Sequence, residues 1–554
     1  MKRFLAVVAL TVASSVAVQA QNMSGVLLNR DVLPASTLLT LSQREAVGTA
    51  RSMGMGGAFT SLGADMASLG YNPAGFGMYQ RNEISMSLGL GISHARNHNA
   101  YDLAGNNAVR ASINNVGASI KLYESTGTLT AVNFAFGYNK VADYNYCTSY
   151  MGPQTISSLA DAFADIANGG GLGINAENKI TDPNGYYDYD MNPYYWGAVM
   201  GYKGGLINMG ENGWYPDEIA NGAEMSQSTN LKSRGSAGEF SFALGFNIDN
   251  IVYLGASLDI QSIQRKQTIY YNEYIDYPEG EKPNAEEYPY QLRNFEFGES
   301  MQIDGSGVGA KFGIVVRPTE GLRIGFAVHT PTYYSLLYRY SASLSSVALS
   351  AGDNPYGWEV INGCVYADES TPILQDSGEN RWEFTTPTRL LAGLSYAVGP
   401  YAVFSADYQY DAYRSLRLNY SPVDDKYSYS EYVSDACRSN LKGVHTLRAG
   451  IEAKPTPWLS LRVGGGFKSK VLNENYNFVA LSEPVENNSW YASAGIGFRL
   501  GKVTSVDLAY QYLNTCYSDY YTFYTDLNGT PNASPLYGLD ILKHNLALTF
   551  AFRF

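Results

Sequence analysis

The sequence predicts an all-β fold: a transmembrane antiparallel β-barrel of about fourteen strands with an N-terminal hatch plugging its lumen. Three observations predict it. Apolar and polar residues alternate singly over long stretches, tight turns alternate with long polar segments, and the chain closes on an alternating strand that ends in Phe554.

The chain opens as an export signal. Lys2 and Arg3 precede the apolar core Phe4–Ala13, and Val18-Gln19-Ala20 offers small residues where a signal peptidase cuts. Residue 21 is Gln21 rather than a cysteine, so a lipid-anchored N-terminus is not expected. The expected division is a signal peptide over 1–20, a periplasmic hatch over 21–82, and a barrel with long extracellular loops over 83–554. No later run reaches the roughly 18 apolar residues that a helical span needs, which excludes a helical membrane protein. The 46 Tyr and 56 Gly, with only 16% charged residues, fit aromatic girdles and alternating strands. The net charge of −13 becomes −15 once Lys2 and Arg3 are gone, and this acidic balance argues against a nucleic-acid partner.

From Glu83 onward the period is two. Ile84, Met86, Leu88, Leu90 and Ile92 alternate with Ser85, Ser87, Gly89, Gly91 and Ser93. Phe240, Phe242, Leu244 and Phe246 do the same, and after Asp249-Asn250 the phase resumes at Val252, Leu254, Leu258 and Ile260. Strands are expected to start near Glu83, Val109, Thr128, Glu239, Ile251, Phe295, Leu322, Arg381, Tyr401, Val444, Trp458, Ser489, Val503 and Ile541. Short turns fall at 124–127, 249–250, 318–321, 399–400, 455–457 and 501–502, and long polar segments at 147–235, 345–379, 422–442 and 472–488. Sorting short turns to one side and long loops to the other is the habit of an outer-membrane barrel. The terminal Phe554 adds a partner, the outer-membrane assembly machinery, beside the surrounding outer-membrane lipids.

Between signal and first strand lies a segment without strand pattern. Ser36–Ala46 is expected to form a short helix, and 48–79 reads GTARSMGMGGAFTSLGADMASLGYNPAGFGMY. Gly54, Gly56 and Gly57 permit close backbone approach or positive φ. Asn72-Pro73 suits a turn. This segment resembles the N-terminal hatch of the FadL/TodX-type family of outer-membrane transporters for hydrophobic compounds, whose Asn-Pro-Ala turn is matched by Asn72, Pro73 and Ala74. The stretch 307–331, with Arg317-Pro318-Thr319 and Leu322-Arg323-Ile324-Gly325, is similar to that family's central hairpin, and 404–416 and 447–467 to its later strands. The resemblance implies fourteen strands, a hatch in the lumen, and passive uptake of a hydrophobic molecule such as a long-chain fatty acid. Outer loops would capture the ligand, which would pass beside the hatch and leave sideways through the wall.

Site residues follow as expectations. Arg51, Met53, Met55, Phe59, Met66, Leu69 and Phe76 are candidate ligand contacts in the hatch. Within 147–235, Ile156, Leu159, Phe163 and Ile166 recur at helical spacing. With Tyr194, Trp196, Met200 and Trp214 they suggest either a capture groove or a packed cap. Gly137 and Asn139, on the third strand, mark the expected lateral gap. Catalysis is not expected: the five His (His94, His98, His329, His445, His544) sit in no GxSxG or HExxH motif. No cofactor or metal is expected. The competing readings are a haemin receptor, using His94, His98 or loop tyrosines, and a surface adhesin or structural barrel. Cys147, Cys364, Cys437 and Cys516 are placed toward the outer face, where disulfides are possible but unassigned.

Overall fold

The computed structural model describes residues 23–554 apart from 25–32, 46–47, 189–190, 192–194, 217–222, 277–289, 351–358, 368–380, 422–427, 477–482 and 528–529. Residues 1–20, expected to be a signal peptide, therefore lie outside the described residues.

A closed antiparallel barrel of fourteen strands forms the body. The strands are β1 (Glu83–His98), β2 (Asn107–Glu124), β3 (Leu129–Asp143), β4 (Glu224–Ile248), β5 (Val252–Asp276), β6 (Tyr290–Val316) and β7 (Leu322–His329, resuming Tyr333–Ser350). They continue as β8 (Arg381–Thr385, resuming Arg389–Val398), β9 (Ala402–Asp411, resuming Arg417–Tyr420), β10 (Val444–Thr456), β11 (Leu459–Lys468), β12 (Glu486–Leu500), β13 (Thr504–Tyr517) and β14 (Leu536–Arg553). Closure pairs β14 with β1, from Glu83 opposite Arg553 to His98 opposite Gly538. Strands β7, β8 and β9 break at one level. Pro331 and Pro387 bring no amide hydrogen to the ladder there, and single bonds carry the pairing across, Thr386 N to Thr332 O at 3.0 Å and Ala412 N to Thr388 O at 3.1 Å.

The wall has two storeys, and β5 shows both. In its first half Leu254, Leu258 and Ile260 are exposed on the outer face while Ser257, Asp259 and Gln261 are buried on the inner one. Beyond Gln261 the polarity inverts. Gln264 and Lys266 now face out, and Ile263, Ile269, Tyr271 and Ile275 are buried within. Strand β4 inverts at the same height, from exposed Phe240, Phe242 and Leu244 to exposed Lys232 and Arg234. The lower storey is the lipid-facing belt, and nine residues of a tilted strand give about the 25 Å that such a belt requires. The upper storey stands in water and encloses an apolar core.

That inversion explains a difference from the sequence expectation. Strand β4 begins at Glu224, inside the stretch read as a loop, and Tyr146–Met151 pairs with it. Strand β7 runs to Ser350, and Glu359–Ala367 pairs alongside it. Strand periodicity persists there, but with the polar residues outside it looks like polar loop.

The upper core is filled by the long connections. Helices α3 (Leu159–Gly169), α4 (Trp196–Lys203) and α5 (Ser428–Asn440) sit in it with the hairpin 207–216, and the paired strands Tyr524–Leu527 and Thr530–Ala533 bond α3 through Thr525 and Asp165. Helix α1 (Ala35–Ser42), from the N-terminal segment, also buries Leu38, Leu39 and Leu41 in this core.

Candidate functional site

The lower lumen is occupied by residues 48–79, which fold by local capping. Thr49 Oγ1 accepts the Ser52 amide to start α2 (Ala50–Gly54), and Asp65 Oδ1 accepts the Ala67 amide to start a 3₁₀ turn over Met66–Leu69. A second 3₁₀ turn, Pro73–Met78, begins with Pro73 at the first helical position and Asn72 as its cap. Asn72 Oδ1 accepts from Ala74 N at 3.0 Å, and its Nδ2 donates to Thr60 O at 2.8 Å. Gly56 and Gly57 take φ of +64° and +69°, which a side chain would resist.

The wall grips this segment largely by its backbone. Asp407 Oδ2 accepts the amides of Phe59 and Thr60, both at 2.7 Å. Lys311 Nζ donates to Leu69 O at 2.9 Å while paired with Asp259 at 3.0 Å and with Glu239. Tyr491 Oη reaches Gly56 O at 2.8 Å, and Asn133 Nδ2 reaches Phe76 O at 2.8 Å. Arg51 meets Glu452 at 3.1 Å and Asp65 at 3.9 Å, with its guanidinium over the Phe59 ring.

Glycines on the wall let the segment come this close. A Cβ at Gly255 would collide with the Ala74 amide, one at Gly313 with the Asn72 side chain, and one at Gly450 with the Met55 carbonyl. Sequence reasoning passed over these wall glycines, because glycine is common in barrel strands. Their recurrence at one height on β5, β6 and β10 was the available signal.

The expected hatch contacts separate accordingly. Met55 and Phe59 pack with Tyr71, Ala327 and Leu391. Met66, Leu69 and Phe76 pack with Tyr79, Ala135 and Ala243. Met53 packs with Ala509 and Ala547. Each of these side chains touches wall and plug together.

Above the plug lies a cavity. Its walls carry Arg44, Arg265, Arg389, Arg448, Lys468 and Lys543 against the acids Glu45, Asp143, Asp411 and Glu486. Most of these cations have a carboxylate: Arg265 with Glu483 at 2.9 Å, Arg389 with Asp411 at 3.0 Å, Lys468 with Glu486 at 3.0 Å, Lys543 with Glu45 at 2.5 Å. Arg448 differs. It has no carboxylate in an ion pair among the described residues: its Nη2 donates to Gln409 at 2.7 Å, its guanidinium bonds the Tyr491 hydroxyl, and its Nε and Nη1 are enclosed, as are those of Arg265. Sequence reasoning did not single Arg448 out.

A smaller cavity adjoins Arg448, Tyr71, His329, Asn139 and Lys140. Here the wall pairing changes. Strands β2 and β3 pair from Glu124 opposite Ala131 up to Asn115 opposite Asn139, where the ladder stops. Above it, Asn107–Ser112 of β2 pair with β1 alone, leaving their other edge without a strand partner among the described residues. Side chains span the interval instead: Arg110 Nη1 to Asn145 Oδ1 at 2.7 Å, and Lys140 Nζ to Ser112 Oγ at 3.2 Å. Gly137 lies inside the paired ladder, opposite Gly117, and Asn139 is its last rung.

The expected groove residues lie in the upper core. Phe163 meets Phe297 edge-on at 5.2 Å, Trp196 meets Tyr340 at 5.9 Å, and Trp214 meets Tyr202 at 5.5 Å. Met200 is fully buried beside them. Tyr194 lies outside the described residues. The structure thus brings Phe163, Trp196, Met200 and Trp214 together in a closed, dry cluster.

Cys147, Cys437 and Cys516 are free thiols, and nothing is described of the Cys364 side chain. Burial pushes the Cys437 thiol up to about 12, so it stays protonated and inert. His94 bonds Asn107 at 2.9 Å and His98 bonds Asp540 at 2.9 Å on the exposed wall, while His329 bonds Tyr71 O at 2.8 Å inside.

No protein-family model and no curated protein sequence matches the chain. Solved structures do show similarity. The Pseudomonas putida toluene transporter TodX is 12% identical, with TM-score 0.45 over 93% of this chain and 100% of that one. A Pseudomonas aeruginosa FadL homologue is 12% identical, with TM-score 0.47 over 92% and 99%. The Ralstonia pickettii toluene transporter TbuX is 14% identical, with TM-score 0.46 over 92% and 99%.

Proposed function

We propose that this barrel takes up amphiphilic hydrophobic molecules, with long-chain fatty acids as the type, by passive passage across the outer membrane. The route runs from the cap into the lumen cavity above the hatch and then sideways between β2 and β3. One observation carries the reading: a plugged lumen whose cavity abuts the place where wall pairing stops, at Asn115 and Asn139. The plug fills the lower lumen, which disfavours an aqueous path down the axis. The adjacent wall is spanned by side chains, which part more readily than a backbone ladder. The hatch residues Asn72, Pro73 and Ala74, which carry the FadL/TodX-type resemblance, support the same reading.

The cavity favours an anionic head over a neutral hydrocarbon. Arg448 has no carboxylate partner among the described residues, and an incoming carboxylate would supply one. Tyr144, Tyr146, Tyr413, Tyr491 and Tyr517 also line this space and suit the start of an alkyl tail. Each methylene leaving water contributes about 0.8 kcal/mol, so the tail drives entry without an energy source. The histidines expected to serve haemin, His94 and His98, face away from the lumen and already have partners.

The test is binding of a fluorescent long-chain fatty acid to the purified barrel, with haemin as competitor. The expected result is saturable binding that haemin does not displace and that Arg448→Gln weakens by roughly tenfold or more. Absence of fatty-acid binding, with tight haemin binding, would overturn the reading.

A further inference from the structure

The outer wall above β3 and β4 carries a charge arrangement that uptake does not use. Arg234 on β4 and Lys266 on β5 are directly opposite in the ladder and both exposed. Lys232 lies two residues farther along the same face, opposite Thr268. Arg110 joins them from β2: its Nη1 bonds Asn145 Oδ1 at 2.7 Å, and Asn145 Nδ2 donates to Gly235 O at 2.9 Å. Like charges directly opposite on a sheet destabilise it. Neighbouring cations are neutralised, Lys140 by Asp143 at 2.8 Å and Arg339 by Asp304 at 3.5 Å. Among the described residues, Arg110, Lys232, Arg234 and Lys266 meet no carboxylate.

Height supplies the occupant. The apolar outer face ends at Phe240 on β4 and Ile260 on β5, and Arg234 and Lys266 each lie six residues beyond. Six residues of a tilted strand rise about 15 Å, which sets the cluster over the headgroup layer. Between belt and cluster the outer face of β4 and β5 carries Ser236, Gly238, Ser262 and Gln264, and Asp304 of β6, opposite Gln264, is engaged by Arg339 and Gln302.

We infer that Lys232, Arg234 and Lys266, with Arg110 beside them, bind phosphorylated head groups of outer-leaflet glycolipids. Phosphate oxygens accept the guanidinium and ammonium hydrogens and relieve the like-charge ladder. A basic cluster beside an anionic membrane surface gains roughly fivefold in affinity per cation. The inference depends on the barrel's seat in the membrane and not on which ligand the lumen takes.

The test is native mass spectrometry of the purified full chain in detergent, titrated with a bisphosphorylated glucosamine-disaccharide lipid and separately with its dephosphorylated form. The full chain is expected to retain the bisphosphorylated lipid in preference to the dephosphorylated one. K232Q/R234Q/K266Q is expected to lose about a hundredfold in that affinity. Heat-modifiable gel migration confirms that the triple variant is folded. Equal binding of both lipids, or undiminished binding by the folded triple variant, would overturn the inference.

Discussion

Asn72 holds the plug with a single side chain. It caps the turn through Ala74, ties it back to Thr60, and rests against the bare Cα of Gly313. Asn72→Ala is expected to weaken the seating of the plug by about 1–2 kcal/mol. Limited proteolysis of 48–79 and single-channel conductance would read this, with barrel melting little changed. Gly313→Val is expected to act more strongly, because its side chain would occupy the space of Asn72, and conductance should rise in a barrel that still inserts. The two residues differ in how legible they are. Asn-Pro-Ala has local meaning, since a cap and a first-turn proline act through their own backbone. Gly313 has meaning only through what lies opposite it, 241 residues earlier in the chain. Arg448 is the same case: an arginine on a strand is ordinary until the fold sets it on a cavity with no carboxylate partner among the described residues.

The cap helix α3 is held by a capping box, with Ser158 and Asp161 each accepting from the other's end of the first turn. Burial pushes the Asp161 carboxyl up to about 6, although the Ser158 amide works against the shift and Asp165 adds to it. A carboxyl whose folded pKa lies above its usual 3.8 stabilises the folded cap in its protonated form. That contribution is complete below the usual value and is lost as pH rises through about 6. Glu273, which bonds Ser158 and Leu159 at the same helix start, is pushed by burial up to about 7. Protease resistance of the cap is therefore expected to fall from roughly pH 4 through pH 7, and Asp161→Asn should remove the lower part of that fall. The helical spacing of Leu159, Phe163 and Ile166 foretold this helix, and all three are buried in it. Ile156, read as part of the same face, precedes the helix and is 78% exposed. Among strands, membrane spans were legible wherever lipid lay outside. Their upper continuations were not, because inverted polarity disguises the same period.

Across the whole molecule the N-terminal segment fills the lumen at more than one height. Met23–Ser24 pairs with Tyr524-Thr525 in an outer hairpin, α1 lies in the upper core, and 48–79 fills the lower lumen. Deleting 26–77 is expected to leave a barrel that still inserts, since the lower wall presents Asp407, Lys311, Glu452 and Arg462 that water can solvate. Conductance should rise, and loss of α1 should make the outer connections more sensitive to protease. A deletion chain that fails to insert would count against the lumen segment being a plug.

The sequence by itself determined the barrel, its strand order from Glu83 to the terminal Phe, its sorted turns and the local turns of its hatch. Each depends on alternation or on neighbouring residues, and the lipid outside a strand is the same wherever the strand sits. The tertiary structure alone decided the second storey, the seat of the plug against wall glycines, the edge above Asn115 that has no strand partner among the described residues, and the cavity beside Arg448. Those features depend on which surface meets which across hundreds of residues, and a strand's own pattern cannot say whether water, lipid or another part of the chain lies on its far side.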